Sequence, residues 1–164
     1  MKRLILLGGS AQQVIAIKKA KQLGFYTILC DYLPDNPGRY VADKYYSVSS
    51  TDKDSVLSIA KKENIDGIVA YSSDPAAPTA AYVSERLCLP GIPYTVAESF
   101  CNKHLFRNYL FKNGFNTPKS VVLNKSSSFI DISSLKYPVI IKPTDSSGSK
   151  GITTITDSDG FNSA

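Results

Sequence analysis

Residues 1–90 alternate short apolar runs with amphipathic segments, and this alternation restricts the fold more than any other feature of the sequence. Residues 4–7 form a continuous apolar run, as expected for a strand that is covered on both faces. A Gly8-Gly9-Ser10 turn follows, and the next segment carries apolar residues at helical spacing: Ala16, Ile17, Ala20 and Leu23. Gly24 is a natural C-cap for that helix. This part of the sequence therefore predicts a strand, a tight turn and a helix.

The same order of strand and helix recurs along the region. Further strands are predicted at residues 26–30, 45–48 and 67–70. Helices are predicted from a Thr51 cap to Asn64 and over residues 78–87. Strands that alternate with helices of this length pair in parallel through right-handed crossovers. We therefore expect an α/β chain with an open, doubly wound parallel sheet.

Three predicted loops leave the carboxyl ends of the strands, where open parallel sheets bind their ligands. They cover residues 8–12, 31–38 and 72–75, and their candidate substrate-binding residues are Gly8, Gly9, Ser10, Asp31 and Asp74. Each candidate has a structural alternative. A Gly-Gly pair also makes a tight turn, Asp31 could bind a ribose hydroxyl or cap the following turn, and Asp74 lies in a good turn sequence. The first loop lacks the G-x-G-x-x-G spacing of a dinucleotide site.

Composition sets broad limits on the function. The 164 residues are 43% hydrophobic and 20% charged, which predicts an ordinary buried core. The net charge of +5 is spread over helices and loops, which argues against a nucleic-acid partner. Cys30, Cys88 and Cys101 form no CxxC pair, so reduced thiols and a cytoplasmic location are expected. No run approaches the roughly 20 apolar residues of a membrane helix, so no membrane partner is expected.

The pattern changes after Pro90. Thr95 is predicted to cap a short helix, and residues 103–113 are predicted to form a longer one that Gly114 ends. We therefore predict two domains, at residues 1–114 and 115–164. The second domain is expected to contain strands at 120–123 and 152–155, a short helix around 129–135, and a strand that runs up to Lys142.

A possible phosphate site stands out in this second domain. Residues 137–143 form an apolar run that ends in Lys142-Pro143, and residues 144–151 then form a small-residue loop that carries Lys150. A strand that delivers one cation to a loop with a second cation is a plausible way to hold a polyphosphate. The loop is not a Walker loop, because it lacks the earlier glycine and is followed by a β-prone run. Alternatively, either lysine is simply solvated.

Four motifs follow one another after residue 100: Asn102-Lys103 at a helix start, Asn116-Thr117-Pro118, Pro-Val-Ile-Ile-Lys-Pro at 138–143, and Ser-Ser-Gly-Ser-Lys-Gly-Ile at 146–152. With a Rossmann-like unit before them, these motifs resemble the first part of an ATP-grasp enzyme. Within that superfamily, the chain looks most similar to the carbamoyl-phosphate synthase large-subunit and biotin-carboxylase-like branch. The architecture implied is a Rossmann-like pre-ATP-grasp domain followed by the start of an α+β ATP-grasp domain.

The resemblance implies an ATP-dependent carboxylate–amine or related ligase that works through an acyl phosphate. Lys103 and Lys142 would match two ATP-contacting lysines. The flexible glycine-rich loop would correspond to Ser146, Ser147, Gly148, Ser149, Lys150 and Gly151. The loop is richer in serine than the usual glycine run, and Asn102 stands where an Asp is common. ATP and Mg²⁺ are the implied cofactors, a carboxylate and an amine the implied substrates, and a homodimer is a family-level expectation.

In the family, the adenine pocket and the acidic magnesium ligands lie downstream of the glycine-rich loop. The sequence is therefore interpreted as an N-terminal fragment of a longer ligase, inactive by itself, with its catalytic residues and magnesium ligands expected beyond Ala164. Two other hypotheses remain open. One is a non-catalytic nucleotide or small-molecule binding module that uses the Gly8-Gly9 crevice, and the other is an oligomerisation domain. The lone His104 is expected to have a structural role.

Overall fold

The computed structural model describes residues 1–124, 134–146, 148–158 and 160. The chain packs as two compact units, Met1–Cys101 and Asn102–Ala164. The first unit ends at Cys101, and the domain boundary after residue 114 stays a prediction from the sequence. The helix that begins at Lys103 therefore groups with the second unit, because Lys103 hydrogen-bonds to Thr144 and Ser146. The helix predicted around residues 129–135 falls largely outside the described residues.

A four-stranded parallel sheet forms the centre of the first unit. Its strands are β1 (Arg3–Leu7), β2 (Tyr26–Asp31), β3 (Lys44–Ser47) and β4 (Gly67–Val69). The spatial order is β3-β2-β1-β4, and Ile5 of β1 pairs with Ile28 of β2 on one side and Ile68 of β4 on the other. The open parallel sheet predicted from the alternating pattern is confirmed, and the four strands end at one edge.

Helices α1 (Val14–Gln22), α2 (Lys53–Glu63) and α3 (Ala77–Arg86) cover the two faces of this sheet, and α4 (Tyr94–Cys101) packs against α3. Two short 3₁₀ turns lie at Pro37–Tyr40 and Asp74–Ala76. On one face, Ile5, Ile28 and Cys30 pack with side chains of α2 and α3. On the other face, Leu6 and Leu29 pack against Ile17 of α1. Burying one such aliphatic side chain contributes about 1.5–3 kcal/mol, so these two layers account for most of the cohesion of the unit.

Two predicted helix caps are wrong, and each error has a local cause. The N-cap of α2 is Asp52 rather than Thr51, because the Asp52 carboxylate accepts the Ser55 N–H at 3.1 Å. Helix α4 starts at Tyr94, one residue before the predicted Thr95 cap. The Tyr94 N–H donates to the Glu85 carboxylate at 2.9 Å, so a residue of α3 satisfies this helix start. The predicted end of α2 is correct, since Asn64 adopts a left-handed conformation there.

An ionic cluster around the buried Glu63 carboxylate ties the amino-terminal edge of the sheet together. The Glu63 carboxylate, at the end of α2, accepts hydrogen bonds from Lys44 at 2.7 Å, from Arg3 at 2.5 Å and from the Tyr46 hydroxyl. The hydrogen bond from Lys44 is the main cause that lowers the pKa of Glu63, and the Tyr46 hydroxyl adds to it. This cluster lies at the edge opposite to the loops predicted to bind substrate.

The second unit contains α5 (Lys103–Lys112) and an antiparallel pair, β5 (Val139–Ile141) and β6 (Thr153–Ile155). The Asn102 side chain caps α5 by accepting the N–H groups of His104 and Leu105. The strand predicted at residues 120–123 is wrong: this segment has no regular structure and pairs with neither β5 nor β6. In the described part of the chain, no helix is long and apolar enough to cross a membrane.

Candidate functional site

The loop after β1 starts with a glycine that no other residue could replace without strain. The Gly8 N–H donates to the Cys30 carbonyl at 2.9 Å and so continues the β1–β2 ladder by one residue. Gly8 has a φ of +93°, and a Cβ there would lie 2.3 Å from the Gln13 side chain. Position 8 requires glycine, because any side chain there would be strained at this dihedral angle and would clash with Gln13.

Asp31, the last residue of β2, holds this loop in place. One carboxylate oxygen accepts the Gly9 N–H at 2.6 Å, and the other accepts the Leu33 N–H at 2.8 Å. The side chain is buried. The sequence left two roles open for Asp31, binding a ribose hydroxyl or capping the following turn. The bond to Leu33 is such a turn cap, and the bond to Gly9 links Asp31 to the neighbouring loop.

The loop after β2 closes over Gly9. Buried Asn36 accepts the Arg39 N–H at 2.9 Å and donates to the Leu33 carbonyl at 2.5 Å. A Cβ on Gly9 would lie 2.0 Å from the Asn36 oxygen. Gly38 approaches equally closely, since its N–H donates to the Gly9 carbonyl at 2.8 Å. These contacts explain why position 9 needs glycine for structural reasons. They support the alternative in which the Gly8-Gly9 pair makes a tight turn.

Gln13, which the sequence did not single out, joins the loops after β1 and β4. Its side-chain oxygen accepts both the N–H and the hydroxyl of Ser10 at 2.9 Å. Its amide nitrogen donates to the carbonyls of Leu7 at 3.2 Å and Tyr71 at 3.1 Å. All these bonds are made by a buried side chain, so Gln13 fixes the distance between the two loops. A glutamine three residues after Ser10 resembles half of a capping box, which was the signal available in the sequence.

Asp74 lies apart from this hydrogen-bond network. It is exposed at the start of the 3₁₀ turn after β4. Asp74 lies near Cys101, the last residue of α4. Burial raises the pKa of the Cys101 thiol, and the negative charge of Asp74 raises it further. The structure thus joins Gly9 to Asp31 by a hydrogen bond, with Gly8 and Ser10 on the same loop, while Asp74 belongs to the surface beside Cys101.

In the second unit, the glycine-rich loop connects the two strands of the β5–β6 hairpin. Residues 142–152 form this connection, with left-handed conformations at Gly148 (φ 64°), Ser149 (φ 59°) and Gly151 (φ 69°). A Cβ on Gly151 would lie 2.9 Å from the Pro143 ring. Two of these three left-handed positions are glycines, while Ser149 adopts a dihedral angle that L residues populate only at a cost. Ser147 lies outside the described residues.

Lys103 meets this loop at the start of α5. Its N–H donates to the Thr144 carbonyl at 2.8 Å, and its ammonium group donates to the Ser146 carbonyl. Lys142 and Lys150 are exposed at the two ends of the loop. A helix N-terminus with adjacent cations and a small-residue loop is a favourable environment for a phosphate group. The structure thus places Lys103 beside the loop that carries the other predicted ATP-binding residues.

The donor set does not fit a magnesium ion within the described residues. No group of three or more His, Cys, Asp or Glu side chains in this part of the chain could hold a metal. His104 contacts Asn108, one helical turn later, through a ring nitrogen at 3.0 Å from the Asn108 amide nitrogen. This contact agrees with the structural role expected for His104.

No protein-family model matches the chain, but curated relatives do. A formate-dependent phosphoribosylglycinamide formyltransferase from Prochlorococcus marinus is 30% identical over 155 residues, which cover 92% of this chain and 39% of that protein. A phosphoribosylamine–glycine ligase from Methanococcus maripaludis is 27% identical over 162 residues, which cover 92% of this chain and 36% of that protein. The chain thus spans well under half the length of these relatives.

Solved structures share the fold. Phosphoribosylglycinamide synthetase from Anaerococcus prevotii matches with a TM-score of 0.71 and 27% identity, over 99% of this chain and 42% of that one. N5-carboxyaminoimidazole synthetase from Staphylococcus aureus, complexed with ADP, matches with a TM-score of 0.75 and 22% identity, over 99% of this chain and 43% of that one. The chain is similar to enzymes of the ATP-grasp superfamily, so the resemblance of its sequence to that superfamily is confirmed, while the branch within the superfamily stays a prediction.

Proposed function

We propose that this chain provides the substrate-side domain and the phosphate-facing part of the ATP site of an ATP-dependent ligase. In the proposed reaction, a carboxylate oxygen attacks the γ-phosphorus of ATP and the bond from this phosphorus to the β,γ-bridging oxygen breaks. ADP departs, and the carboxylate has become an acyl phosphate. An amine nitrogen then attacks the acyl carbon and displaces phosphate. The chain would contribute to the first step by binding and orienting the triphosphate.

The observation that carries this proposal is the contact between Lys103 and the glycine-rich loop. Residue 103 lies 43 positions before residue 146 in the sequence, yet it meets residues 144 and 146 at the N-terminus of α5. Phosphoryl transfer requires positioning and charge neutralisation more than covalent chemistry from the protein. The ammonium groups of Lys103 and Lys142 and the backbone N–H groups of the loop are suited to that task, because they favour negative charge on the phosphates.

The names of the relatives support a small carboxylate as one substrate. One relative is named for formate and the other for glycine, and both of these molecules carry a carboxylate group. The second name also contains an amine that is joined to glycine. The placement in the carbamoyl-phosphate synthase and biotin-carboxylase-like branch stays a prediction from the motifs, as does a homodimer. Mg²⁺ is proposed to accompany ATP.

Calorimetric titration of the chain with ATP and with AMP tests the phosphate site. We expect ATP to bind at least tenfold more tightly than AMP, because the proposed contacts are to the β- and γ-phosphates. Lys142→Ala should weaken ATP binding about tenfold, equivalent to ~1.4 kcal/mol for one charge-assisted contact. Lys136→Ala removes an exposed lysine before β5 and is the matched control, expected to stay within about twofold of the wild type. Equal affinities for ATP and AMP would refute the proposal.

A non-catalytic binding module remains the second candidate, since the first unit has its own sheet and buried core. The two candidates differ in where a nucleotide binds. Chemical-shift changes on ATP addition should concentrate on residues 102–105 and 142–151 if the ATP site is as proposed. Changes confined to the Gly8–Gln13 loop would instead favour the binding module.

A further inference from the structure

Two hydrogen bonds join the first residue of α5 to the start of the glycine-rich loop. The Lys103 N–H donates to the Thr144 carbonyl at 2.8 Å, and the Lys103 ammonium donates to the Ser146 carbonyl. Residue 103 is the first helical residue, so its N–H has no acceptor within α5 and the loop supplies one. The loop is therefore fastened to the helix end that carries a proposed phosphate-binding cation.

A phosphate group would compete with the loop for this ammonium. The Ser146 carbonyl carries only a partial negative charge, whereas a phosphate oxygen carries a formal one, and hydrogen bonds between ionised groups are the stronger kind. The positive end of the helix dipole adds to the preference for an anion. A lysine ammonium has three donors on a flexible stem, so it can change acceptors without a change in the backbone.

We infer that Lys103 acts as a latch. In the ligand-free chain it holds residues 144–146 against the start of α5. A nucleotide phosphate opens the latch by replacing the Ser146 carbonyl as the acceptor of the Lys103 ammonium. The opening step rests on the proposed ATP site, while the closed state concerns the ligand-free chain alone. The helix start does not depend on the latch, because Asn102 caps α5 through the N–H groups of His104 and Leu105. Lys103 can therefore be changed while the helix cap is preserved.

Hydrogen exchange at the amide of residue 103 reports on the closed state, since the acceptor of that amide is a loop carbonyl. In Lys103→Met, which keeps an apolar stem and removes the donor, we expect this amide to exchange about tenfold faster, equivalent to ~1.4 kcal/mol. Lys103→Arg retains a cationic donor and should preserve most of the protection. Lys112→Met, at the other end of α5, is the matched control and should exchange like the wild type.

Equal exchange rates in the wild type and in Lys103→Met would overturn the latch. Faster exchange that spreads to the amides of β5 and β6 would also overturn it, because it would show general destabilisation of the second unit. The opening step is read from the Ser146 carbonyl carbon by NMR: ATP should shift this signal in the same direction as Lys103→Met does. Binding of ATP without that shift refutes the opening step. No binding of ATP refutes the proposed function, while the ligand-free comparison still decides the closed state.

Discussion

The substitution Asp31→Asn separates a structural role of this carboxylate from a ligand-binding one. Asp31 is buried and accepts two backbone N–H groups, from Gly9 at 2.6 Å and from Leu33 at 2.8 Å. Asparagine offers one acceptor oxygen, so one of these N–H groups would face the NH₂ group of the new side chain. Loss of one charge-assisted hydrogen bond and weakening of the other is expected to cost about 2–4 kcal/mol.

Thermal and urea unfolding of the chain measure this cost. For a unit of about this size, 1 kcal/mol shifts Tm by roughly 4–8 °C, so we expect Asp31→Asn to lower Tm by about 10 °C or more. Asp35→Asn is the matched control, because Asp35 is exposed and hydrogen-bonds the hydroxyl of exposed Tyr40, so its loss should cost less than about 1 kcal/mol. A loss below about 1 kcal/mol for Asp31→Asn would refute the structural role. In that case, its carboxylate would be the stronger candidate for a substrate contact.

Two further predictions concern pH and thiol chemistry. Hydrogen bonding from Lys44 lowers the pKa of Glu63 in the folded chain, so the stabilisation is complete above the ordinary value of 4.5 and is lost as pH falls through the lower folded pKa. Unfolding curves from about pH 6 to about pH 3 should therefore show a smaller pH dependence in Glu63→Gln, and an unchanged dependence would contradict this assignment. Burial raises the pKa of Cys30 to about 12, so a thiol reagent should label exposed Cys88 in the native chain and Cys30 only on unfolding. Equal labelling rates for both thiols would show that the sheet opens readily.

The sheet was predictable because its signals are local. Each buried strand of a parallel sheet is a short apolar run, and each crossover helix has its own periodicity, so both can be recognised from neighbouring residues. The β5–loop–β6 order was predictable for the same reason, since β-prone runs flank the glycine-rich loop. The strand predicted at 120–123 was wrong because β-prone composition does not supply a partner strand.

The contacts that shape the candidate sites were less predictable, because they join residues distant in sequence. Gln13 bonds to the Tyr71 carbonyl, and Asn36 packs over Gly9. Neither contact follows from the spacing of residues in the chain. The same holds for the start of α4, where Glu85 of the preceding helix supplies the acceptor. Sequence patterns therefore located the loops, while the side chains that hold them emerged only from the folded structure.

The two candidate sites differ in how their polar groups are used. In the first unit, Asp31 and Gln13 are buried, and their hydrogen bonds go to the loops themselves. A ligand that replaced these bonds would leave backbone groups without partners, at about 1–3 kcal/mol each, so we expect a substrate to leave these bonds in place. In the second unit, the acceptor of the Lys103 ammonium among the described residues is the Ser146 carbonyl, and we propose that a phosphate replaces it with a stronger bond. We therefore expect the first candidate site to keep its shape when a ligand binds, and the proposed phosphate site to exchange hydrogen-bond partners.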